Sequence, residues 1–174
     1  SRTGQGQHID LSQAEASLHF LSPAILDYTV NQRQRSRDGN NSEECAPHGV
    51  FRCAGDDRWI AIAVTTQREF AAFCGAAGHP EWVNDERFAL FPRRYANRAL
   101  LEAMIGEWTS GRDVAELETV LQAAGVPAHR VSMATDVLTD PQLQARGHWA
   151  QIEQGEAGTV TVEAAAVESE RQDA

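Results

Sequence analysis

The stretch 47–64 (PHGVFRCAGDDRWIAIAV) restricts the possible folds of this 174-residue chain more than any other. Its two arms, Gly49 to Cys53 and Arg58 to Val64, are rich in β-branched and aromatic residues. The small and acidic residues 54–57 between them are typical of a hairpin turn. From Trp59 onward the second arm is apolar at every position, so both faces of its strand are predicted to be buried. The sequence therefore predicts a β-hairpin whose second strand lies inside a sheet.

The rest of the chain alternates helical periodicity with short extended segments. Apolar spacing and end signals predict helices at 65–77, 93–108 and 114–124, a short helix up to Gly147 and a second hairpin at 148–162. Residues 126–132 are predicted to be extended. This order of elements predicts an α+β fold in which a hairpin-centred sheet packs against several helices.

The N-terminal region predicts a helix that cannot complete a core by itself. Ser12 and Glu15 have the spacing of a capping box, and apolar residues recur at helical spacing to about Tyr28. Pro23 is expected to interrupt this helix. The following polar stretch 31–46 fits a solvated linker and a functional loop equally well.

Composition excludes several classes of partner. The formal net charge is −10, with 25 acidic and 15 basic residues, which argues against nucleic acid and anionic membrane as partners. All the basic residues are Arg, so the chain has no amine for Schiff-base or P-loop chemistry. Three cysteines fit neither a zinc site nor a disulfide framework, and we expect reduced thiols in a cytoplasmic protein.

The residues themselves indicate no catalytic machinery. The six His form no pair with metal-ligand spacing, so no metal site is predicted, and the motifs of serine hydrolases, dinucleotide-binding folds and P-loops are absent from the sequence. A threonine of the Thr65-Thr66 pair is predicted to cap the helix that follows the central strand. The backbone N–H groups there could hold an anion, but every helix offers such a terminus.

Five stretches share their order and spacing with one known family: RTGQGQHIDLSQAEA (2–16), RDGNNSEECAPHGVFRCAGDDRWIAIAV (37–64), AGHPEWVNDERF (77–88), LQAAGVPAHRV (121–131) and DPQLQARG (140–147). On these stretches the chain resembles the family III coenzyme A transferases, also called the CaiB/BaiF family. The family includes formyl-CoA transferase, carnitine CoA-transferase and α-methylacyl-CoA racemase. The resemblance covers nearly the whole chain and weakens only at its C-terminal end.

The resemblance implies a two-domain subunit that forms an interlocked homodimer. A small α+β domain is inserted into a Rossmann-like large domain built from both ends of the chain. On that map residues 1–30 form a helix of the large domain and 31–45 a linker with the active-site loop. Residues 46–147 form the small domain, and 148–174 return towards the large domain.

The resemblance also implies covalent chemistry at a carboxylate. In the family, an Asp nucleophile forms acyl-anhydride and CoA-thioester intermediates while CoA moves between carboxylic acids. By this alignment that Asp precedes Ser1, so we assign no catalytic residue within the chain and expect it to be inactive alone. The coenzyme A thioester is a substrate, and no permanently bound cofactor is implied.

The residues carried over from the family are walls of the site. They are Glu43, Glu44, Cys45, Ala46 and Pro47 in the loop that covers the active-site carboxylate, Thr65, Thr66 and Gln67 in a segment that lines the CoA site, and Gln13 near the thioester. Glu44 and Cys45 replace glycines of the formyl-CoA enzyme, which weighs against oxalate-type substrates.

Other functions stay open on the sequence. The parent protein could be an α-methylacyl-CoA racemase of the same family. The chain could instead be a non-catalytic CoA-binding module, which a monomer that binds CoA without turnover would support. A structural fragment of a larger polypeptide is the third possibility, and an exposed apolar face on the 13–28 helix would support it.

Overall fold

A computed structural model of the protein describes residue 6 and residues 8–164. These residues form two compact units that divide between Gly39 and Asn40, within the polar stretch 31–46. Residues 165–174 of the predicted return segment lie outside the described residues.

The secondary structure is mixed, which confirms the predicted α+β class. The helices are α1 (Gln13–Phe20), α2 (Ser22–Asn31), α3 (Gln67–Ala77), α4 (Phe91–Ala96), α5 (Arg98–Ser110), α6 (Val114–Ala123), α7 (Ala134–Leu138) and α8 (Pro141–Ala145). The strands are β1 (His48–Arg52), β2 (Trp59–Ala63), β3 (Ala128–Arg130), β4 (Trp149–Glu153) and β5 (Thr159–Glu163). Short 3-10 helices span Pro80–Val83 and Gly155–Ala157. Within the described residues, no helix combines the length and apolarity that a membrane crossing needs.

The predicted hairpin forms two strands of an antiparallel sheet of order β1-β2-β3, so its second strand is interior as expected. Across the three strands Val50, Ala61 and His129 lie opposite one another. In the connecting turn Gly55 has a φ of +99°, a conformation that other residues adopt with strain. The backbone N–H of Cys53 closes the turn on the carbonyl oxygen of Arg58 at 2.8 Å.

The prediction that β2 is buried on both faces is wrong. Ile60 and Ile62 face the core and are almost fully buried, whereas Trp59, Ala61 and Ala63 on the opposite face are only half-buried. The reason is that the core of this unit, to which α3, α5 and α6 contribute, lies on one face of the sheet. A short apolar strand does not specify how many of its faces are covered.

The core of the second unit is built from the three strands of the sheet and from α3, α5 and α6, with Trp82 and Phe88 from the segment between α3 and α4. Its members are Phe51, Cys53, Ile60, Ile62, Val64, Phe70, Phe73, Cys74, Ala77, Trp82, Phe88, Leu101, Ile105, Val114, Leu117, Leu121, Val126 and Ala128. Cys53 and Cys74 are buried free thiols. Burial raises the pKa of the Cys74 thiol to about 12, so it stays protonated at neutral pH.

The single helix predicted at 93–108 is divided into α4 and α5 at Asn97, which contradicts that prediction. Both the backbone N–H and the side-chain amide of Asn97 donate to the carbonyl oxygen of Arg93, each at 2.9 Å. The residue has φ −104° and ψ 19°, outside helical values. Asn side chains compete with the backbone for hydrogen bonds in this way and so interrupt helices.

The predicted elements near the C-terminus are present. Asp140 caps α8 through two backbone N–H groups, and β4 pairs with β5 as the second hairpin. Helix α7 was not predicted. An ion pair of 2.8 Å between Arg58 and Asp136 joins it to the end of the first hairpin's turn.

The first unit exposes its apolar residues. Ser12 caps α1, and Pro23 lies in the first turn of α2, so the interruption of the predicted helix is confirmed. Within this unit the exposed large apolar residues are Ile9, Leu11, Leu18, Phe20, Leu21, Ile25, Leu26, Tyr28 and Val30. These side chains provide a hydrophobic surface of the kind that normally contacts another part of a protein.

Adjacent leucines of α5 provide a matched test of the core. Leu101 is fully buried and Leu100 is 41% exposed. We expect Leu101→Ala to lower the free energy of unfolding by about 2 to 5 kcal/mol because it leaves a cavity, and Leu100→Ala to lower it by less than about 1 kcal/mol. Urea denaturation followed by circular dichroism measures both. Equal effects would show that α5 is oriented differently.

The exposed face of the first unit leads to a prediction about association. We expect the 174-residue chain to self-associate through α1 and α2, or to be cut first by protease in that region, because the apolar side chains are unprotected. Light scattering and limited proteolysis test this together. A monodisperse monomer in which residues 13–31 resist protease would contradict it.

Candidate functional site

The end of the predicted loop and the end of the central strand are joined by backbone hydrogen bonds. The N–H of Ala46 donates to the carbonyl oxygen of Val64 at 3.2 Å, and the N–H of Val64 donates to that of Pro47 at 2.9 Å. Ala46 and Pro47 are both buried, and the peptide bond between them is cis. The structure therefore places the base of the loop directly beside Thr65, the first residue of the predicted CoA-lining segment.

Arg94 connects this pair of segments and is 2% exposed. Its Nε donates to the carbonyl oxygen of Ala46 at 3.1 Å, and its Nη1 donates to Oε1 of Gln67 at 2.8 Å and to the carbonyl oxygen of Phe88 at 2.9 Å. The guanidinium carbon lies 4.1 Å from the ring centre of Phe70. Burial lowers the pKa of the Arg94 guanidinium below its ordinary value, but an arginine in a protein remains charged.

The start of α3 is closed by a complete capping box. The hydroxyl of Thr66 accepts from the N–H of Glu69 at 3.2 Å. In return, the Glu69 carboxylate accepts from the N–H of Thr65 at 2.7 Å, from its hydroxyl at 2.9 Å and from the N–H of Thr66 at 3.1 Å. The two threonine N–H groups considered for anion binding are thus bonded to a carboxylate of the protein.

Both polar atoms of the Gln67 side chain are hydrogen-bonded within the protein. Its side-chain nitrogen donates to the carbonyl oxygen of Ala89 at 3.0 Å, while its oxygen accepts from Arg94. Thr65 and Thr66 are exposed to solvent. All three predicted CoA-lining residues are exposed, and Gln67 in addition connects the helix start to Arg94 and Ala89.

The outer part of the loop is more open. Glu43 and Glu44 are exposed, Cys45 is half-buried, and the N–H of Glu44 donates to the hydroxyl of Ser42 at 3.2 Å. Gln13, the remaining predicted wall residue, is exposed at the start of α1 in the other compact unit. The structure therefore brings together the base of the loop and segment 65–67.

A concave surface lies next to the loop, on the uncovered face of the three-stranded sheet. It has a volume of about 450 Å³. Its lining is mostly apolar and consists of Asn40, His48, Gly49, Val50, Ala61, Ile62, Ala63, Pro127, Ala128 and His129. The Nδ1 of His48 is hydrogen-bonded to the carbonyl oxygen of Asn40 and so connects β1 to the start of the loop. Over the described part of the chain, no group of three or more His, Cys, Asp and Glu side chains could hold a metal ion.

Arg94 is the residue of this region that sequence reasoning missed. A signal was present, because Arg94 precedes Leu101 by seven positions and Ile105 by eleven, the spacing of their buried stripe. The adjacent Arg93 is exposed and donates to the carbonyl oxygen of Glu86 at 3.1 Å. The pair Arg93-Arg94 does not by itself show which arginine is inside.

The capping box leads to a pH prediction for Glu69→Gln. Hydrogen bonds from Thr65, and then from Thr66, hold the pKa of Glu69 below its ordinary value of 4.5. A lowered carboxyl pKa stabilises the folded state above the unfolded-state pKa, and this contribution is lost as the pH falls through the lower, folded-state value. We therefore expect the variant to lower Tm near neutral pH and to differ progressively less from wild type well below pH 4.5.

Calorimetric scans of both proteins between neutral and acidic pH measure this difference. The matched control is Glu86→Gln, which changes an exposed glutamate outside the capping box. A Tm difference for Glu69→Gln that does not vary with pH would contradict the assigned role of its charge.

Comparison with known proteins tests the resemblance. A family model described as CoA-transferase family III matches residues 1–174. The probable CoA-transferase Rv1866 of Mycobacterium tuberculosis is 37% identical over 146 residues, 83% of this chain and 18% of that protein. The succinyl-CoA:D-citramalate CoA-transferase of Chloroflexus aurantiacus is 32% identical over 145 residues, 83% of this chain and 36% of that protein.

The fold is shared with a solved structure. A CaiB/BaiF family protein from Brucella suis superposes with a TM-score of 0.76 at 30% sequence identity, covering 98% of this chain and 43% of that one. The chain thus spans 18% and 36% of the length of the two named relatives. The match over all its residues confirms the resemblance: the chain belongs to CoA-transferase family III.

Proposed function

We propose that the chain is the C-terminal part of a CoA-transferase that moves coenzyme A between two carboxylic acids. The observation that carries this proposal is the family match over residues 1–174, in a chain that spans at most 36% of the two named relatives. Each of these relatives is named as a CoA-transferase, which favours transfer over racemisation. Neither name favours a purely structural or non-catalytic module.

The proposed parent subunit has two domains. Residues 1–30 would belong to a Rossmann-like large domain, 31–45 would be the linker with the active-site loop, 46–147 the small domain, and 148–174 the return segment. The division between Gly39 and Asn40 supports a domain boundary in the polar stretch 31–46. The exposed apolar side chains of α1 and α2 support their burial against the rest of the large domain or in the homodimer.

The proposed reaction is covalent. An Asp outside these residues would attack the acyl-CoA carbonyl to give a mixed anhydride and CoA thiolate. The thiolate would then attack the anhydride at the carbonyl carbon that comes from the Asp side chain. This step releases the donor acid and leaves a thioester between the Asp and CoA. An acceptor carboxylate would attack that thioester, and CoA would finally take the new acyl group and restore the Asp carboxylate.

Within this scheme the described residues would form walls. Loop residues 43–47 would cover the reacting carboxylate, and Thr65, Thr66 and Gln67 would border the CoA site. The Glu69 carboxylate at the N-terminus of α3 would repel the phosphates of CoA, since like charges in proximity are unfavourable. We therefore place a neutral part of CoA against the exposed threonine side chains.

Activity assays of two proteins test the proposal. We expect the 174-residue chain to show no CoA transfer, and the protein extended upstream to include the Asp to exchange CoA between succinyl-CoA and an acid from a panel that contains D-citramalate and oxalate. Loss of the positioned nucleophile removes the covalent route altogether. Liquid chromatography of acyl-CoAs measures transfer, and hydroxylamine traps the enzyme thioester.

Two outcomes would contradict the proposal. Turnover by the 174-residue chain that disappears in Glu43→Gln or Glu44→Gln would place the nucleophile in the loop. An extended protein that folds but does not transfer CoA would contradict the proposed reaction. The matched control is the extended protein with its Asp replaced by Asn, which we expect to be folded and inactive.

A further inference from the structure

One buried side chain holds both of the segments that are proposed as walls. The Arg94 guanidinium bonds to the backbone of Ala46 at the base of the loop and to the side chain of Gln67 in the first turn of α3. Ala46 is itself bonded to Val64, immediately before Thr65. The loop base, the end of β2 and the start of α3 therefore share a single charged centre.

We propose that Arg94 is a positioning residue that fixes the loop 43–47 relative to the segment 65–67. This inference rests on the proposed function, because the two segments matter to catalysis only as walls of the acyl-CoA site. Arg94 would act through the backbone of the loop and would not touch the substrate. Its role is to keep the loop in the one geometry that closes over the reacting carboxylate.

The chemistry of the guanidinium explains why an arginine occupies this position. Its planar group presents donors in fixed directions, and two of them reach Ala46 and Gln67 on different elements at the same time. The third hydrogen bond, to the carbonyl oxygen of Phe88, and the contact with the Phe70 ring fix the orientation of the guanidinium plane. A lysine would keep the charge but has a single flexible ammonium, so it cannot hold the same acceptors in fixed directions.

Loosening the loop would have a chemical consequence that loss of stability alone would not have. If water reaches the enzyme thioester, it attacks the carbonyl carbon, the C–S bond breaks and CoA leaves as the thiol. The Asp carboxylate is restored, and one proton is released to solvent. A closed site prevents this side reaction by excluding water. Arg94 would thus raise the proportion of intermediates that react with the acceptor acid.

Hydrogen exchange on the 174-residue chain tests the positioning directly. In Arg94→Lys we expect the N–H groups of Ala46 and Val64 to exchange about tenfold faster, because a bond from a charged donor is lost. The N–H of Cys53, at the far end of the hairpin, should keep its wild-type rate. The control is Arg93→Lys, which changes the exposed neighbour and should alter none of these three rates.

Product analysis on the extended protein tests the consequence for catalysis. We expect Arg94→Lys to raise the ratio of acyl-CoA hydrolysis to CoA transfer by on the order of tenfold, since small misplacements of a reacting group are costly. A partly unfolded enzyme would lose both activities in proportion and leave the ratio unchanged. If Arg94→Lys does not fold, Gln67→Leu removes one of the bonds and should change the ratio in the same direction.

The outcomes separate the two proposals. Unchanged or uniformly faster exchange in Arg94→Lys would overturn the positioning role of Arg94, whatever the enzyme does. Suppose that the wild-type extended protein transfers CoA and that Arg94→Lys speeds exchange only at Ala46 and Val64. An unchanged ratio of hydrolysis to transfer in that variant would then overturn the catalytic relevance of Arg94. A wild-type extended protein that transfers no CoA would instead overturn the proposed function, while the exchange rates still decide whether Arg94 fixes the loop.

Discussion

The arrangement of the second unit depends on how the buried charge of Arg94 is stabilised. A charge inside a protein is costly unless hydrogen bonds replace its lost hydration. Here the acceptors are the neutral oxygens of Ala46, Gln67 and Phe88, with the face of the Phe70 ring against the cation. Each acceptor belongs to a different segment, so the charge is stabilised only when the loop base, the start of α3 and the turn before α4 are all in place. The same bonds that stabilise the charge therefore specify the local tertiary structure.

The start of α3 differs from Arg94 because its polar groups are hydrogen-bonded to residues nearby in the sequence. Thr65, Thr66 and Glu69 are close in sequence and satisfy one another as soon as the helix forms. This local closure leaves the helix terminus with a negative side chain where an anion would bind. Arg94 organises segments far apart in the chain, whereas the capping box organises a single turn.

This difference explains what the sequence could predict. The threonine cap of α3, the cap at Asp140 and the two hairpins were predicted correctly because each depends on residues a few positions apart. The exposed face of β2 and the break at Asn97 were missed, since they depend on which elements lie nearby. The interior position of Arg94 also went unrecognised, although its spacing from Leu101 contained the signal. For the candidate site, the residues alone predicted only a helix terminus and a polar loop. The individual wall residues were predicted from the family resemblance.

Wall residues leave no chemical signature because they act through shape and through main-chain contacts. Ala46, a proposed wall residue, illustrates this, since its contribution is a carbonyl oxygen and an N–H group that any residue except proline could provide. A nucleophile or a metal ligand can be recognised by residue type, but a backbone group can be recognised only when the side chain that holds it is known. In this chain that side chain is Arg94, whose donors have fixed directions. The frame of such a site is therefore identified more reliably from the buried group that bonds to the backbone than from the residues that face the substrate.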